Sequence, residues 1–258
     1  MNKILVIIPM YGEDEYTRRC IDFCIKNAGI EHDILVVDDG SPTPFTNSKV
    51  PVLYSPKNEG YTPAVNRGIL YAQERMYDYV LLLNNDTEPE PNFLKLLIDE
   101  AEKKPENGIV CSARQYANGE VELHGADLVR GYQNTTRREH LKKEVLDCIW
   151  IPFGCVLLKM SMIREIGLLD KDMKMYCTDN EYCLRARFAG YKCLLVTESI
   201  VFHYHSVTCK KHDILPETDQ RKWLEKISGI NYAKVMNEMP LDASEGTWGC
   251  IMFDVVKR

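Results

Sequence analysis

Three polar residues that could bind a metal ion, Asn84, Asn85 and Asp86, follow the hydrophobic run Tyr79–Leu83. Carboxylate and amide oxygens are the ligands that hard divalent cations take in proteins, often together with substrate phosphates. The same residues also favour turns, because their side chains form hydrogen bonds with the local backbone. Considered alone, the triplet is more typical of a turn than of a metal site.

A second acidic strand end has the sequence Asp38-Asp39-Gly40-Ser41 and follows the apolar run 34–37. Two carboxylates at the end of a buried strand could bind a ribose or the edge of a base. They could also cap a turn, in which Gly40 would adopt the positive φ that glycine tolerates. The pattern alone does not separate these two uses.

The segment Thr178-Asp179-Asn180-Glu181 has the sequence of a capping box at a helix start. We therefore expect Thr178 to be the N-cap residue and Glu181 its return partner. Asp179 would lie in the first turn, where the helix dipole favours a negative charge. This interpretation explains the acidic residues without giving any of them a catalytic role.

Two histidines, His203 and His205, alternate along a short predicted strand, so their side chains point to the same face. Imidazole could complete an oxygen-rich site for manganese or a similar ion. A histidine on a strand is also commonly structural. From this pattern alone, both uses stay open.

Alternating strand and helix patterns position these residues. The apolar runs that predict buried strands in the first half are residues 4–8, 34–37, 52–54, 79–83 and 109–111. Between them apolar residues recur at helical spacing, and Thr62 before Pro63 predicts one helix start, as Pro91 does another. This alternation predicts an α/β fold with a mostly parallel central sheet flanked by helices. Ligands of such sheets bind beyond the carboxyl ends of the strands, where the polar segments lie.

The second half of the chain is less regular. Residues 116–146 are charged, and we expect them to form a loop or an excursion over the site. Beyond them, residues 154–159 are apolar again, and the sequence predicts a helix over 176–189 and strands over 193–196 and 200–202. Gly190 suits the position after that helix.

Composition excludes several classes of protein. The chain has 258 residues, of which 45% are hydrophobic, and its net charge of -6 offers no general basic surface for nucleic acid. Its 10 cysteines include no Cys-x-x-Cys pair, which argues against a zinc ribbon and favours reduced thiols in the cytoplasm. No run of about 18 apolar residues occurs, so we expect no transmembrane segment.

Six segments resemble, in order, the motifs of family 2 glycosyltransferases, which have the nucleotide-diphospho-sugar transferase (GT-A) fold. The segments are VIIPMYG, ILVVDDGSP, NEGYTPAVNRGILYA, YVLLLNNDTEPEPNFL, FGCVLLKMSMIREIGLLDKDMKMYCTDNEYCLRARFAGYKC and VFHYHS. The fourth is similar to the metal-binding strand end of rhamnosyltransferase-like members. The resemblance implies a GT-A catalytic domain over 1–207, with a nucleotide-sugar half at about 1–112 and an acceptor half at about 113–207. It leaves 208–258 as a helical extension packed on the same domain.

The resemblance also implies roles for individual residues. Asp86 and His203 would hold Mg²⁺ or Mn²⁺, and Asp179 would be the general base, with Glu181 as the second candidate. The implied donor-binding residues are Pro9, Tyr11, Asp38, Asp39, Asn58, Arg67, Asn84 and Asn85. The activity implied is inverting transfer of one sugar from a UDP- or dTDP-sugar to a glycan or lipid-linked acceptor in surface glycan synthesis. Peripheral contact with a membrane would be compatible with such an acceptor.

The sequence departs from the family pattern in several places. Asn84 replaces a frequent aspartate, Gly12 a frequent asparagine, and Thr178 the first member of an acidic pair. The segment 220–223 is one residue short of the Gln-x-x-Arg-Trp motif of processive synthases, so we expect transfer of single sugars. Two alternatives are a sugar nucleotidyltransferase, whose glycine-rich signature the segment PMYGEDEYTRR lacks, and a nucleotide-sugar-binding protein without transferase activity.

Overall fold

The computed structural model describes residues 2–47, 49–123, 126–127, 131–132, 135–204, 219 and 221–222. Within these residues, one large sheet is flanked by helices. The helices are α1 (Asp14–Asn27), α2 (Tyr61–Glu74), α3 (Phe93–Glu102), α4 (Met160–Ile166) and α5 (Thr178–Phe188), with a short 3-10 helix at Arg138–His140. The strands are β1 (Ile4–Met10), β2 (Asp33–Asp38), β3 (Val52–Tyr54), β4 (Tyr79–Leu83), β5 (Thr87–Pro89), β6 (Ile109–Gln115), β7 (Glu120–Glu122), β8 (Ala126–Asp127), β9 (Gly131–Tyr132), β10 (Thr135–Arg137), β11 (Val145–Cys148), β12 (Cys155–Lys159) and β13 (Cys193–His203).

The sheet joins a parallel half to a mixed half in the order β3-β2-β1-β4-β12-β6-β13-β11-β8-β9. The strands β3, β2, β1 and β4 are parallel neighbours, and β6 runs parallel to β13. Between these groups lies β12, which is antiparallel to both β4 and β6. The predicted α/β fold with a central sheet between helices is confirmed, and the mixed half corresponds to the less regular part of the sequence.

Hydrophobic side chains cover both faces of the sheet. On β1, Ile7 packs in one core with Ile69 of α2, whereas Ile8 packs in the other core with Ile21 of α1. A strand covered on both faces needs no polar alternation, which explains the continuous apolar runs of the sequence. Gly68 lets α2 approach the sheet closely, because a Cβ there would lie 2.6 Å from Cγ2 of Ile7.

The predicted capping box at the start of α5 is wrong. The residue before the helix is Cys177, whose φ is 61°, and no described side chain caps the helix. Oγ1 of Thr178 is buried without a hydrogen-bond partner among the described residues, and Glu181 instead pairs with Arg185 at 2.6 Å. Because Cys177 turns the chain, Thr178 lies inside the helix, where its hydroxyl cannot take the capping position. Gly190, with φ 88°, follows the end of α5 as predicted.

Two other helices begin close to their predicted starts. The first residue of α2 precedes the predicted N-cap Thr62, because Gly60, with φ 101°, already turns the chain and donates its N–H to Asp39 at 2.7 Å. The first residue of α3 comes two positions after Pro91, because Asn92 has a left-handed φ of 65°. Both shifts come from residues with positive φ just before the helix.

The second half contains more strand than the sequence predicts. Part of the segment 116–146 forms β7 and β10, which pair with each other, and β7 also pairs antiparallel with β6. The two strands predicted over 193–202 are one strand, β13, whose register shifts between Val196 and Ile200. The hydroxyl of Ser199 in that irregularity donates to a backbone oxygen of α3, so a polar residue interrupts the pattern without ending the strand.

Two predictions fall wholly or mostly outside the described residues. They concern His205 and the helical extension over 208–258. Within that extension, Asp219, Arg221 and Lys222 are described, and all three are helical. Among the described residues, no helix is both long and apolar enough to cross a bilayer.

Candidate active site

A cavity of about 450 Å³ lies at the carboxyl edge of the parallel strands. This volume lies within the range typical of small-molecule sites, about 300–1,000 Å³. Residues at the ends of β1, β2 and β4 line the cavity, so it occupies the predicted edge. The predicted site residues that line it are Pro9, Tyr11, Asp39, Asn58, Asn84, Asn85, Asp86, Asp179 and His203. Asp38 and Arg67 are not among the lining residues.

Asp39 follows β2 and directs one carboxylate oxygen toward the start of α2. Its Oδ2 accepts hydrogen bonds from the backbone N–H of Glu59 at 3.0 Å and of Gly60 at 2.7 Å. Its Oδ1 is buried without a hydrogen-bond partner among the described residues, although Nη1 of Arg67 lies 3.6 Å away. Burial raises the pKa of Asp39, and the two backbone donors and Arg67 partly offset this effect. The carboxylate is therefore fixed in place, with one oxygen left for a donor group of a ligand.

Asp38 and Arg67 do not line the cavity and contact neighbouring segments instead. The two carboxylate oxygens of Asp38 accept backbone N–H groups of the following loop at 2.8 and 2.9 Å. The side chain of Arg67 is held by Ser55 and Glu59. The capping interpretation is thus confirmed for Asp38, and the donor-binding roles of Asp38 and Arg67 stay predictions.

Asp86 and His203 meet beyond the end of β4. Oδ1 of Asp86 lies 3.1 Å from Nε2 of His203, and both residues are buried. The pairing of β5 with β13 fixes this contact, because it places Thr87 opposite His203. Asn84 lines the same cavity, and its Oδ1 is buried without a hydrogen-bond partner among the described residues. The cavity therefore offers a carboxylate, an imidazole and an amide oxygen.

The Asp86–His203 contact fits a divalent metal ion. Their 3.1 Å contact is a hydrogen bond that places side by side a carboxylate oxygen and an imidazole nitrogen, both of which can ligate Mg²⁺ or Mn²⁺. The described part of the chain contains no group of three or more His, Cys, Asp or Glu residues suited to a metal. A metal here would complete its ligands with neutral oxygens, such as Oδ1 of Asn84, water or substrate. Asn85 also lines the cavity, and its Nδ2 donates to Oγ1 of Thr17 at 3.0 Å.

Asp179 lies half-buried in the first turn of α5, where it lines the cavity. Its Oδ1 accepts the backbone N–H of Asn180 at 2.9 Å. Burial raises the pKa of the Asp179 carboxyl, whereas the N–H of Asn180 and the charge of Arg114 lower it. A half-buried carboxylate whose pKa is raised can, while it is ionised, accept a proton from a bound hydroxyl group.

Arg114 lines the cavity and is missing from the predicted site residues. It forms an ion pair with Glu122 at 2.7 Å, in which the two side chains are 12% and 6% exposed. Gly154 adjoins it closely, since a Cβ there would lie 3.3 Å from Cδ of Arg114. The rule that selects polar residues at strand ends also applies to Arg114. The predicted strand stops at Cys111, however, whereas β6 runs to Gln115.

Lys174, Met175 and Tyr176 also line the cavity and were not predicted. The backbone oxygen of Lys174 accepts the N–H of Thr62 at 3.0 Å, which ties this segment to α2. The contact uses backbone atoms, so residue types in the sequence give no signal for it.

Sequence comparison finds known proteins that are similar to this chain. Residues 5–167 match the family model described as glycosyl transferase family 2. The chain is 24% identical over 202 residues to N-acetylglucosaminyl-diphospho-decaprenol L-rhamnosyltransferase of Mycobacterium tuberculosis, covering 66% of each protein. It is 23% identical over 122 residues to glycosyltransferase GlyG of Streptococcus pneumoniae, covering 44% of this chain and 40% of that protein. The chain thus spans only part of the length of each relative.

Two solved structures share the fold. GalNAc-T7 with UDP, GalNAc and Mn²⁺ has a TM-score of 0.64 at 17% identity, covering 80% of this chain and 44% of that one. TarS of S. aureus has a TM-score of 0.61 at 14% identity, covering 89% of this chain and 40% of that one. The predicted GT-A fold is therefore confirmed. Because the matched residues 5–167 make up more than half of its length, the chain belongs to glycosyl transferase family 2.

Proposed function

We propose that the chain transfers one sugar from a nucleotide-diphospho-sugar to an acceptor hydroxyl group, with inversion at the anomeric carbon. The observation that carries this proposal is a single cavity lined by Asp39, Asp86, His203 and Asp179. These residues offer a fixed hydrogen-bond acceptor for the nucleobase and a place for a metal ion beside a diphosphate. They also offer a carboxylate that can take the proton of the attacking hydroxyl. One ligand-sized space thus contains the groups that each part of the reaction needs.

The proposed donor is a UDP- or dTDP-sugar. Uracil and thymine each carry a ring N–H that can donate to Oδ1 of Asp39, which is buried without a hydrogen-bond partner among the described residues. Pro9, Tyr11 and Asn58 line the same cavity and would contact the base or the ribose. The UDP and Mn²⁺ in the GalNAc-T7 structure support a uridine nucleotide and a divalent cation by analogy.

Asp86 and His203 are the residues that would hold Mg²⁺ or Mn²⁺ in this proposal. When bound, such an ion supplies positive charge that stabilises a departing nucleoside diphosphate. The chain contributes the buried placement of the two side chains 3.1 Å apart, where electrostatic interactions are stronger than in water. Because Asn84 is neutral, we expect the metal to bind weakly until a diphosphate adds its charge.

Asp179 accepts the proton in the proposed reaction. The acceptor oxygen forms a bond to the anomeric carbon on the face opposite the diphosphate, while the bond from that carbon to the leaving oxygen breaks. The hydroxyl proton goes to the Asp179 carboxylate, and the nucleoside diphosphate departs. A single displacement inverts the configuration. Burial raises the pKa of Asp179, which makes it a stronger base than an exposed aspartate, and the Asn180 N–H and Arg114 favour its ionised form.

The proposed acceptor is a glycan or lipid-linked sugar used in surface polysaccharide synthesis. The name of the M. tuberculosis relative specifies N-acetylglucosaminyl-diphospho-decaprenol, a lipid-linked compound, which supports this class. We propose a cytoplasmic location, because the described cysteines are buried and free, as suits a reducing compartment. Contact with the membrane surface would follow from a lipid-linked acceptor.

A transfer assay with matched variants tests the proposal. The wild type, Asp179→Asn and Asp99→Asn would each be given UDP- or dTDP-sugars, Mn²⁺ and a lipid-linked glycan acceptor. Asp99 is a suitable control because it lies exposed on α3 and pairs only with Lys95 in the described ion pairs. We expect Asp179→Asn to lower kcat by about 10²–10⁴-fold, the usual effect of a general base.

Three outcomes would count against the proposal. A wild-type kcat in Asp179→Asn would show that Asp179 is not the base. Absence of transfer from every donor would contradict the activity itself. Formation of a nucleotide sugar from a sugar phosphate and a nucleoside triphosphate would identify a nucleotidyltransferase instead.

A further inference from the structure

The segment 170–177 leads directly into α5 and forms part of the cavity. Lys174, Met175 and Tyr176 line the cavity, and Asp179 follows in the first turn of the helix. The placement of this segment therefore sets the placement of the Asp179 carboxylate.

Asp219 holds this segment through two backbone hydrogen bonds. Its Oδ2 accepts the N–H of Met175 at 2.8 Å and the N–H of Tyr176 at 3.0 Å. Asp219 is 6% exposed, so both bonds are shielded from water. Successive backbone N–H groups that converge on one anion form a nest, and bonds to a carboxylate are stronger than those between neutral groups. Lys222 adds a further contact, because its Nζ donates to the backbone oxygen of Asp172.

The same segment also contacts the donor side of the cavity. The backbone oxygen of Lys174 accepts the N–H of Thr62 at 3.0 Å. Gly60 lies so close that a Cβ there would be 2.9 Å from the same oxygen. The segment is therefore held between the start of α2 on one side and Asp219 on the other.

Cys177 shows why the segment needs this support. Its φ of 61° lies in the left-handed region, which residues other than glycine seldom adopt unless surrounding contacts impose it. Burial, with the charges of Asp179 and Asp219, raises the pKa of the Cys177 thiol to about 12. Both carboxylates thus lie near enough to Cys177 to raise its pKa, and Cys177 connects the residues that Asp219 contacts to the start of α5.

We propose that Asp219 is a positioning residue for Asp179, acting through the backbone of Met175 and Tyr176. This inference rests on the proposed function, because it takes Asp179 as the base. It also goes beyond the family match, since Asp219 lies outside residues 5–167. A part of the chain beyond that match would thus complete the acceptor side of the cavity.

A purely structural role for Asp219 predicts a different result. If Asp219 only fastened its own segment to the domain, its loss would lower the melting temperature and leave kcat per folded molecule unchanged. A positioning role predicts a lower kcat with unchanged donor affinity. The reason is that Asp39, the proposed contact of the nucleobase, and Asp86, a proposed metal ligand, follow β2 and β4 and are not part of the segment that Asp219 holds.

The test compares Asp219→Ala and Asp219→Asn with the control Asn107→Ala in the full chain. Asn107 is a matched control because its buried side chain also holds a backbone atom, the oxygen of Glu100 at 2.9 Å. It precedes β6 at the sheet edge opposite the cavity. Each variant would be measured below its melting temperature for UDP affinity, for kcat of sugar transfer, and for hydrogen exchange of the Met175 and Tyr176 amides.

We expect Asp219→Ala to lower kcat by about 10- to 100-fold, the effect of a small misplacement of a catalytic group. The Kd for UDP should stay within twofold, and the two amides should exchange faster. Asp219→Asn keeps an acceptor oxygen and should recover part of the lost kcat and part of the slow amide exchange. Asn107→Ala should keep the wild-type kcat, the wild-type Kd for UDP and the wild-type exchange of the two amides. Unchanged amide exchange, or an unchanged kcat, in folded Asp219→Ala while the wild type is active would overturn this inference alone. A wild type without transfer activity would overturn the proposed function and this inference together.

Discussion

Replacing Asp39 by asparagine tests the proposal that the cavity binds a pyrimidine nucleotide. Oδ2 of Asp39 accepts two backbone N–H groups at 2.7 and 3.0 Å, and an amide oxygen can keep both bonds. The amide nitrogen then takes the place of Oδ1, which lies buried 3.6 Å from Nη1 of Arg67. A group that could accept a hydrogen bond becomes a donor, and it would face both Arg67 and the ring N–H of the base.

The size of the effect follows from the bond that is lost. A hydrogen bond to a charged group contributes about 1.5–3 kcal/mol, so UDP should bind about 10- to 150-fold more weakly. Folding should suffer little, because burial raises the pKa of Asp39 and thus disfavours its charge in the folded state. In the wild type, the charged Asp39 therefore lowers the free energy of unfolding at pH values above the ordinary pKa of 3.8, and this loss decreases as the pH falls toward 3.8. Asparagine carries no charge and causes no such loss.

Calorimetric titration with UDP measures this effect, with Asp33→Asn as the control. Asp33 lies at the other end of β2, where its Oδ2 accepts the hydroxyl of Tyr77 at 2.7 Å. We expect the control to bind UDP as the wild type does. A UDP affinity of Asp39→Asn within twofold of the wild type would refute the assignment of Asp39 as the contact of the nucleobase. An equal loss of UDP affinity in both variants would show a general effect on β2.

Two further predictions concern the metal and the base. In thermal-shift titrations, Asp86→Ala should abolish the stabilisation that Mn²⁺ and UDP produce together. Asn84→Ala, which removes a neutral oxygen, should weaken UDP binding in the presence of Mn²⁺ only about fivefold, the equivalent of about 1 kcal/mol. An undiminished Mn²⁺-dependent shift in Asp86→Ala would contradict the metal assignment. The kcat should fall as the pH drops through the raised pKa of Asp179. Because Arg114 lowers that pKa, this fall in kcat should occur at higher pH in the double variant Arg114→Gln/Glu122→Gln. A fall at the wild-type pH would show that another group controls it.

The sequence predicts the edge of the sheet where the site lies, and the physical reason is local. Continuous apolar runs mark strands that are buried on both faces, and the polar residues after them must then emerge at strand ends. Asp39, Asn84 and Asp86 are found there for this reason, and all three line the cavity. Asp86 and His203 are in contact, and their role as metal ligands stays a prediction.

The parts that the sequence does not predict depend on contacts between distant segments. The residues that follow Cys111 extend β6 because they pair with β13, so Arg114 reaches the cavity. Residue types do not distinguish Asp38 from Asp39, although only Asp39 lines the cavity. Asp219 uses its carboxylate on backbone N–H groups, which all residues except proline possess, so no sequence motif marks the contact.

The most direct test of the central claim is the structure of the reaction product. Nuclear magnetic resonance of the product would give the anomeric configuration of the transferred sugar and the number of sugars added to each acceptor. The proposed transfer predicts one added sugar, with an anomeric configuration opposite to that in the donor. Retention of the donor configuration, or a long homopolymer, would contradict the single inverting transfer proposed for this chain.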